Sequence, residues 1–399
     1  MMMKKTFIFI LTCVSLLFAA CDKQDDTYRE FVVPGGYNYP AKPVELKTQA
    51  GYLRIALSWA IPKDPAVKSV KVFWDNYAKS SDVDYSSAVD GFVTTVISDL
   101  EDRSYTFDIV NFDAEGNRSL ASEITVAPYG EGWLSTHAER KILTARVKDN
   151  TATIEMGNPM DEMVGTKFRY RNLSGEWVES EQILKAGEFS VEIPGVLKGK
   201  YFEYKSSYCP ANGLDTVWNS YWTRSPEILE YKLDPTLWEG SITKNQLYTG
   251  SGDYGWAQLF DGITDVQNNG YRANTAAAYR AIFPKIIAVD THAPEGKEPV
   301  ISHIEMYQHP TTQSYRYVKS LSLFQGNAPY DADTADYTSF GTPVLDATFT
   351  QAEVVQGRDA SDPVPGRYFA IVFTKSFATQ GYIWVQEFEP WGYVPSETE

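Results

Sequence analysis

Apolar side chains recur at every second position through much of this chain. Leu53, Ile55, Leu57 and Trp59 alternate with Arg54, Ala56 and Ser58. Val70, Val72 and Trp74 repeat the pattern, and so do Tyr105, Phe107 and Ile109. A period of two predicts strands with one buried face. Turn signals such as AEGN (114–117) separate the runs, and short strands at regular spacing predict a β-sandwich over residues 41–128. Over residues 129–235, ATIEM (152–156), KFRYR (167–171), EFSVEI (188–193) and YFEYKSSY (201–208) read as strands of a second sandwich. ISHIEMYQHP (301–310) and VKSLSLFQGN (318–327) read as strands of a last segment, 236–399.

The start of the chain has a different pattern. Lys4 and Lys5 precede an apolar run from Thr6 to Ala20. That run is shorter than the roughly 20 residues a membrane span takes, and it has the length and flanks of a secretory signal. Behind Cys21 the chain turns polar at once, with Asp22, Lys23, Gln24, Asp25 and Asp26. The small pair Ala19–Ala20 before Cys21 resembles the lipobox of bacterial lipoproteins, although Phe18 stands where leucine is commonest. The resemblance implies a signal peptide over 1–20, an acylated Cys21 as first mature residue, and a lipidated tether over 21–40. The acidic cluster resembles the surface-export signal of lipoproteins from Bacteroidetes-type bacteria. It implies a protein lipid-anchored in the outer membrane and facing the cell exterior. Each buried acyl CH₂ contributes roughly 0.8 kcal/mol, so several chains on one residue hold firmly.

Composition narrows the partners. The chain carries 26 Tyr, 20 Phe and 10 Trp, a content that suits strands and equally suits rings that stack on sugars. A net charge of −16 repels phosphate backbones and argues against nucleic acid as a partner. With the leader removed at Cys21, Cys209 is the one internal thiol, so no internal disulfide can form. There is no CxxC or Cys/His cluster of the zinc-site kind.

Three stretches carry family resemblances. LEDRSYTFDIVNFDAEGNRSLAS (100–122) resembles the later strands of a fibronectin type III domain, with Leu100 and Tyr105 where that family has its tyrosine corner. CDKQDD together with LRIALSWAIPKDPAVKSVKVFWDN looks like the N-terminal half of an uncharacterised lipoprotein family of Bacteroidetes. GWAQLFDGITD (255–265) and VPGRYFAIVFTKSFATQGYIWVQEFEPWG (364–392) resemble the two ends of a discoidin domain, also known as coagulation factor type C or galactose-binding-like. The implied fold is all-β, with three β-sandwich units after a lipoprotein signal peptide. Two are fibronectin type III-like (41–128 and 129–235), and the third is a discoidin-like jelly roll (236–399) with ligands at the loops of one end.

The candidate chemistry follows from that last segment. GSGDYG (250–255) matches a dinucleotide fingerprint literally, but WAQLFDGITD behind it lacks the helical period such a loop needs. The discoidin resemblance implies a structural calcium held by Asp261, Thr264 and Glu387, which are the hard oxygen donors such an ion takes. Two departures count against it: Ile263 replaces a commoner polar residue, and Tyr271 stands for an expected tryptophan. For a sugar, which needs an aromatic face and fixed polar groups, the candidates are Asn269, Tyr271, Arg272, His309, Tyr315, Arg316 and Trp391. Arg367 is expected to pair with a buried carboxylate. HExxH, GxSxG and Walker patterns are all absent. The expectation is therefore a non-enzymatic surface lipoprotein that binds extracellular glycan. The alternative is an accessory protein docking onto an outer-membrane uptake complex.

Overall fold

The computed structural model describes residues 39–310, 314–378 and 381–398. Cys21 lies outside them, as do the expected leader and nearly all of the tether. The described chain divides into two compact units. One holds residues up to Thr136 together with Ala211–Asp215, and the other holds the remainder.

The first unit is a seven-stranded sandwich. Its strands are β1 (Lys47–Gly51), β2 (Arg54–Ala60), β3 (Ser69–Trp74), β4 (Lys79–Val83), β5 (Phe92–Ile97), β6 (Tyr105–Phe112) and β7 (Ser122–Val126). One sheet runs β1-β2-β5 and the other β4-β3-β6-β7, all antiparallel. The alternation places Ile55, Leu57 and Trp59 against Val70, Val72, Phe107 and Ile109 in the core. Leu53 does not extend that series, because its φ of 53° puts it in the turn before β2. The Tyr105 hydroxyl accepts the Glu101 N–H at 3.0 Å, which is the tyrosine corner expected at that spot. Asp215 belongs to this unit: its carboxylate takes Arg54 Nε at 3.0 Å and the Tyr52 N–H at 2.8 Å.

The second unit begins with β8 (Ile142–Lys148), β9 (Thr151–Met156), β10 (Met163–Arg171), β11 (Trp177–Lys185), β12 (Ser190–Pro194), β13 (Tyr201–Tyr208), β14 (Val217–Trp218), β15 (Thr223–Ile228) and β16 (Glu230–Lys232). Phe168, Phe202 and Tyr204 meet Ile142, Val147, Ile154 and Leu229 in one core. It continues with β17 (Glu239–Ile242), β18 (Tyr271–Arg272), β19 (Lys285–Asp290), β20 (Val300–Gln308), β21 (Val318–Gly326), β22 (Leu345–Thr348), β23 (Val355–Asp359), β24 (Tyr368–Ser376) and β25 (Trp384–Tyr393). These last strands form a second sandwich, with the sheet β17-β19-β24-β21-β22 facing β25, β20 and β23. Ile287, Leu321, Leu323, Ile371, Phe373, Val385 and Phe388 fill the space between.

β16 joins the two halves of this unit. It pairs parallel with β8 and antiparallel with β25, so one sheet runs β12-β9-β8-β16-β25-β20-β23. Hydrogen bonding is therefore continuous from one sandwich into the other. Sequence patterning pointed to separate sandwiches here, and three residues, Glu230–Lys232, are too few to show a period.

Candidate ligand site

β18 pairs with the first residues of β25, placing Tyr271 opposite Val385 and Arg272 opposite Trp384. Successive side chains on a strand point to opposite faces. Tyr271 accordingly turns inward, is fully buried, and stacks on Phe373 at 5.7 Å and 9°. Arg272 turns outward into a set of aromatic rings. Its guanidinium lies 3.8 Å from the Tyr248 ring centre, 4.6 Å from Trp384 and 5.6 Å from Tyr254. It also donates to the Tyr254 hydroxyl at 3.3 Å.

Trp384 is the fixed element of the cluster. Its indole N–H donates to the Asn269 carbonyl at 3.0 Å, and the His309 imidazole stacks on it at 3.5 Å and 22°. His309 follows β20, whose Gln308 side chain is bonded both ways to the backbone of Val318 at 3.0 Å. Beyond it, a single 3₁₀ turn, Ser314–Arg316, carries Tyr315 and Arg316. Arg316 lies 5.7 Å from both the Tyr315 and the Tyr382 rings, and Arg280 donates to the Tyr382 hydroxyl at 3.2 Å.

The electrostatics keep His309 neutral. Burial, with the charges of Arg272 and Arg316 behind it, pushes the imidazole down to about 4. Both of its ring nitrogens are buried without a hydrogen-bond partner among the described residues, and so is Arg316 Nε. An unsatisfied buried polar group costs about 1–3 kcal/mol, so three such atoms beside each other are an energetic cost that a polar ligand would relieve. A neutral imidazole offers one donor and one acceptor, which suits a hydroxyl group.

Sequence reasoning therefore named part of the cluster. Arg272 and His309 meet at Trp384, Arg316 is near enough for its charge to act on His309, and Tyr315, 41% exposed, neighbours Arg316. Asn269 is buried and acts as scaffold through its carbonyl. Two candidates are corrected. Tyr271 is a core residue, turned inward by strand parity. Trp391 lies seven residues beyond Trp384 on β25, about 23 Å away at 3.3 Å per residue. There it sits buried opposite Lys232 of β16. Tyr248, Tyr254, Trp384 and Tyr382 were missed. Tyr254 lies within GSGDYG, where the glycines drew attention to phosphate chemistry instead. Arg367 pairs with the half-buried Asp290 as expected, at 2.8 and 2.7 Å.

The calcium candidates do not compose a cation cage. Asp261 accepts the Ile263 N–H and the Asn269 amide, each at 2.9 Å. Glu387 is fully buried and accepts the Gly262 N–H at 3.1 Å and Lys232 Nζ at 3.3 Å. The Ile263 and Val266 carbonyls both take the Gln386 amide at 3.1 Å. An ammonium and two carboxamides thus bond to several of the oxygens a calcium ion would gather, while Glu387 Oε2 is buried without a hydrogen-bond partner among the described residues. Among the described residues no group of three or more His, Cys, Asp or Glu is placed to hold a metal. Burial pushes Glu387 up to about 8, while Lys232, 2.8 Å from Glu389, is held above its usual range by its two carboxylates against its own burial.

Residues 21–217 match a family described as a domain of unknown function, DUF4998. No curated protein matches the chain. Three solved structures give a measure of likeness. A family 32 CBM from C. perfringens NanJ in complex with galactose is 12% identical, with 41% of this chain and 99% of that one covered and a TM-score of 0.31. The SusE-like protein BT2857 is 14% identical over 64% of this chain and 97% of that one, with a TM-score of 0.35. A two-domain fibronectin type III segment of chicken tenascin is 10% identical over 46% and 99%, with a TM-score of 0.21. At those values the fold rests on the sheet orders above and the chemistry on the site itself.

Proposed function

We propose that this protein is a lipid-anchored outer-membrane protein that binds extracellular carbohydrate at the Trp384 cluster and does not turn it over. The observation that carries the reading is the group of buried nitrogens on His309 and Arg316 that have no hydrogen-bond partner among the described residues, set beside aromatic rings. Sugar hydroxyls satisfy such nitrogens, and the C–H face of a sugar ring packs on exposed aromatic surface such as Tyr315. Glycoside hydrolysis needs two carboxylates flanking the bond. The side-chain neighbours found for Arg272, His309 and Arg316 among the described residues are instead aromatic rings and a tyrosine hydroxyl. The anchor is the acylated Cys21, with the acidic stretch behind it as tether. One aromatic–sugar contact is weak, so the expected affinity lies between millimolar and micromolar, about −4 to −8 kcal/mol, strengthened by many copies on one surface.

The test is affinity electrophoresis of the whole chain in gels containing plant, mucin or microbial polysaccharide, beside His309→Gln and Arg316→Ala. Retardation by one glycan class, lost in both variants, supports the reading. Retardation by a neutral polysaccharide that survives both variants rules the cluster out. A folded chain that ignores every polysaccharide but co-purifies stoichiometrically with an outer-membrane protein rules out the glycan and favours docking.

A further inference from the structure

The second unit carries another surface that its jelly roll does not use. On β10 the even positions Thr166 and Phe168 are buried, so Lys167, Arg169 and Arg171 share the outer face. On β13, Phe202 and Tyr204 turn inward, leaving Tyr201, Glu203 and Lys205 on that same face. Trp218 and Trp222 come from the strand and loop that follow. The Trp222 ring has Lys205 at 4.8 Å, Arg169 at 5.0 Å and Lys167 at 5.4 Å. Lys167 also lies 5.0 Å from Trp218, and Arg169 and Arg171 lie 5.5 and 4.9 Å from Trp177.

Two features set this face apart from a solvated charged surface. The register places Lys167 directly opposite Lys205, and like charges directly opposite each other across a ladder are destabilising. Glu179 offsets Lys167 at 3.1 Å and Glu203 pairs with Arg169, but Lys205 has no carboxylate within ion-pair distance among the described residues. Burial and the charge of Lys167 push Lys205 below the usual lysine range. A cationic excess is retained here, at a cost, in a chain of net charge −16. A like-charge pair kept across a ladder and offset mainly by surrounding indoles is the kind of local conflict found at functional sites.

We infer that this face is a second binding site, for an acidic polysaccharide, in which Lys167, Arg169 and Lys205 take the anionic groups and the indoles of Trp177, Trp218 and Trp222 take the sugar rings. The charge complement selects an anion. A pocket on this face is walled mainly by Arg171, Trp177, Lys200, Tyr201, Glu203 and Arg224, which are charged and aromatic side chains. Indole and guanidinium planes suit a ring bearing a carboxylate or sulfate. The site is independent of the Trp384 cluster, and either can fail without the other.

The experiment is a titration of the whole chain with polygalacturonate, neutral dextran, dextran sulfate and poly-glutamate at low and moderate salt. The expected result is binding to polygalacturonate but not to neutral dextran, weakened by salt. Lys205→Gln and Lys167→Gln should each weaken it at least five-fold. Unliganded Lys205→Gln should melt no lower than wild type, since it removes a repulsion, and so separates lost binding from lost folding. Equal affinity for poly-glutamate would overturn the polysaccharide assignment. Polyanion binding that persists in both lysine variants would overturn the site.

Discussion

Glu387 and His309 are each held in the fold with an altered proton affinity, and the two act at opposite ends of the pH scale. Burial raises the Glu387 carboxyl from 4.5 to about 8, so the folded chain holds a proton that the unfolded chain gives up. Its contribution to stability is complete below pH 4.5 and is lost as pH rises towards about 8. His309 is lowered from 6.5 to about 4, so its contribution is complete above pH 6.5 and is lost as pH falls towards about 4. Urea melts between pH 4 and 9 should show Glu387→Gln with a flatter alkaline limb than wild type; an unchanged limb would contradict the protonated carboxyl. Tyr105→Phe should cost about 1 kcal/mol in the same melts, the value of one neutral hydrogen bond. Such single side chains were partly legible. Tyr105 was placed by its neighbours in LEDRSYTFDIV, and Arg272 by its type. Tyr271 was assigned to ligand because sequence shows that two adjacent residues alternate, not which of them faces in.

The strands themselves follow the alternation closely. YFEYKSSY became β13 residue for residue, and ISHIEMYQHP and VKSLSLFQGN became β20 and β21 to within two residues. β16 and β18 were not legible, because two or three residues carry no period and their place depends on partners far along the chain. These short strands are where the fold is most constrained. Tyr231 of β16 is paired at once with Val147 and Gly392. Proline there removes a donor from the middle of a sheet, where it is poorly tolerated. Tyr231→Pro should therefore lower the melting temperature and speed amide exchange in both β8 and β25. Faster exchange in one of them alone would show that the shared sheet does not couple the two sandwiches.

For the molecule as a whole, the Asp261, Ile263 and Val266 oxygens of the 261–269 loop accept from the Asn269 and Gln386 amides, while Lys232 bonds to Glu387. A ligand present at a hundred times its Kd stabilises by about 2.7 kcal/mol. Millimolar calcium should leave the melting temperature unchanged, as should a chelator; a rise of several degrees with calcium would contradict that arrangement. Replacing Cys21 by Ser should move the protein from the membrane to the soluble fraction, if acylation holds it there. The most direct test of the central claim is tryptophan fluorescence of the whole chain titrated with each neutral polysaccharide class, wild type beside Arg272→Ala. The account predicts a saturable change for one class, with a Kd between millimolar and micromolar, weakened ten-fold or more in Arg272→Ala. A folded chain whose titration is the same in both proteins, or flat for every class, would contradict it.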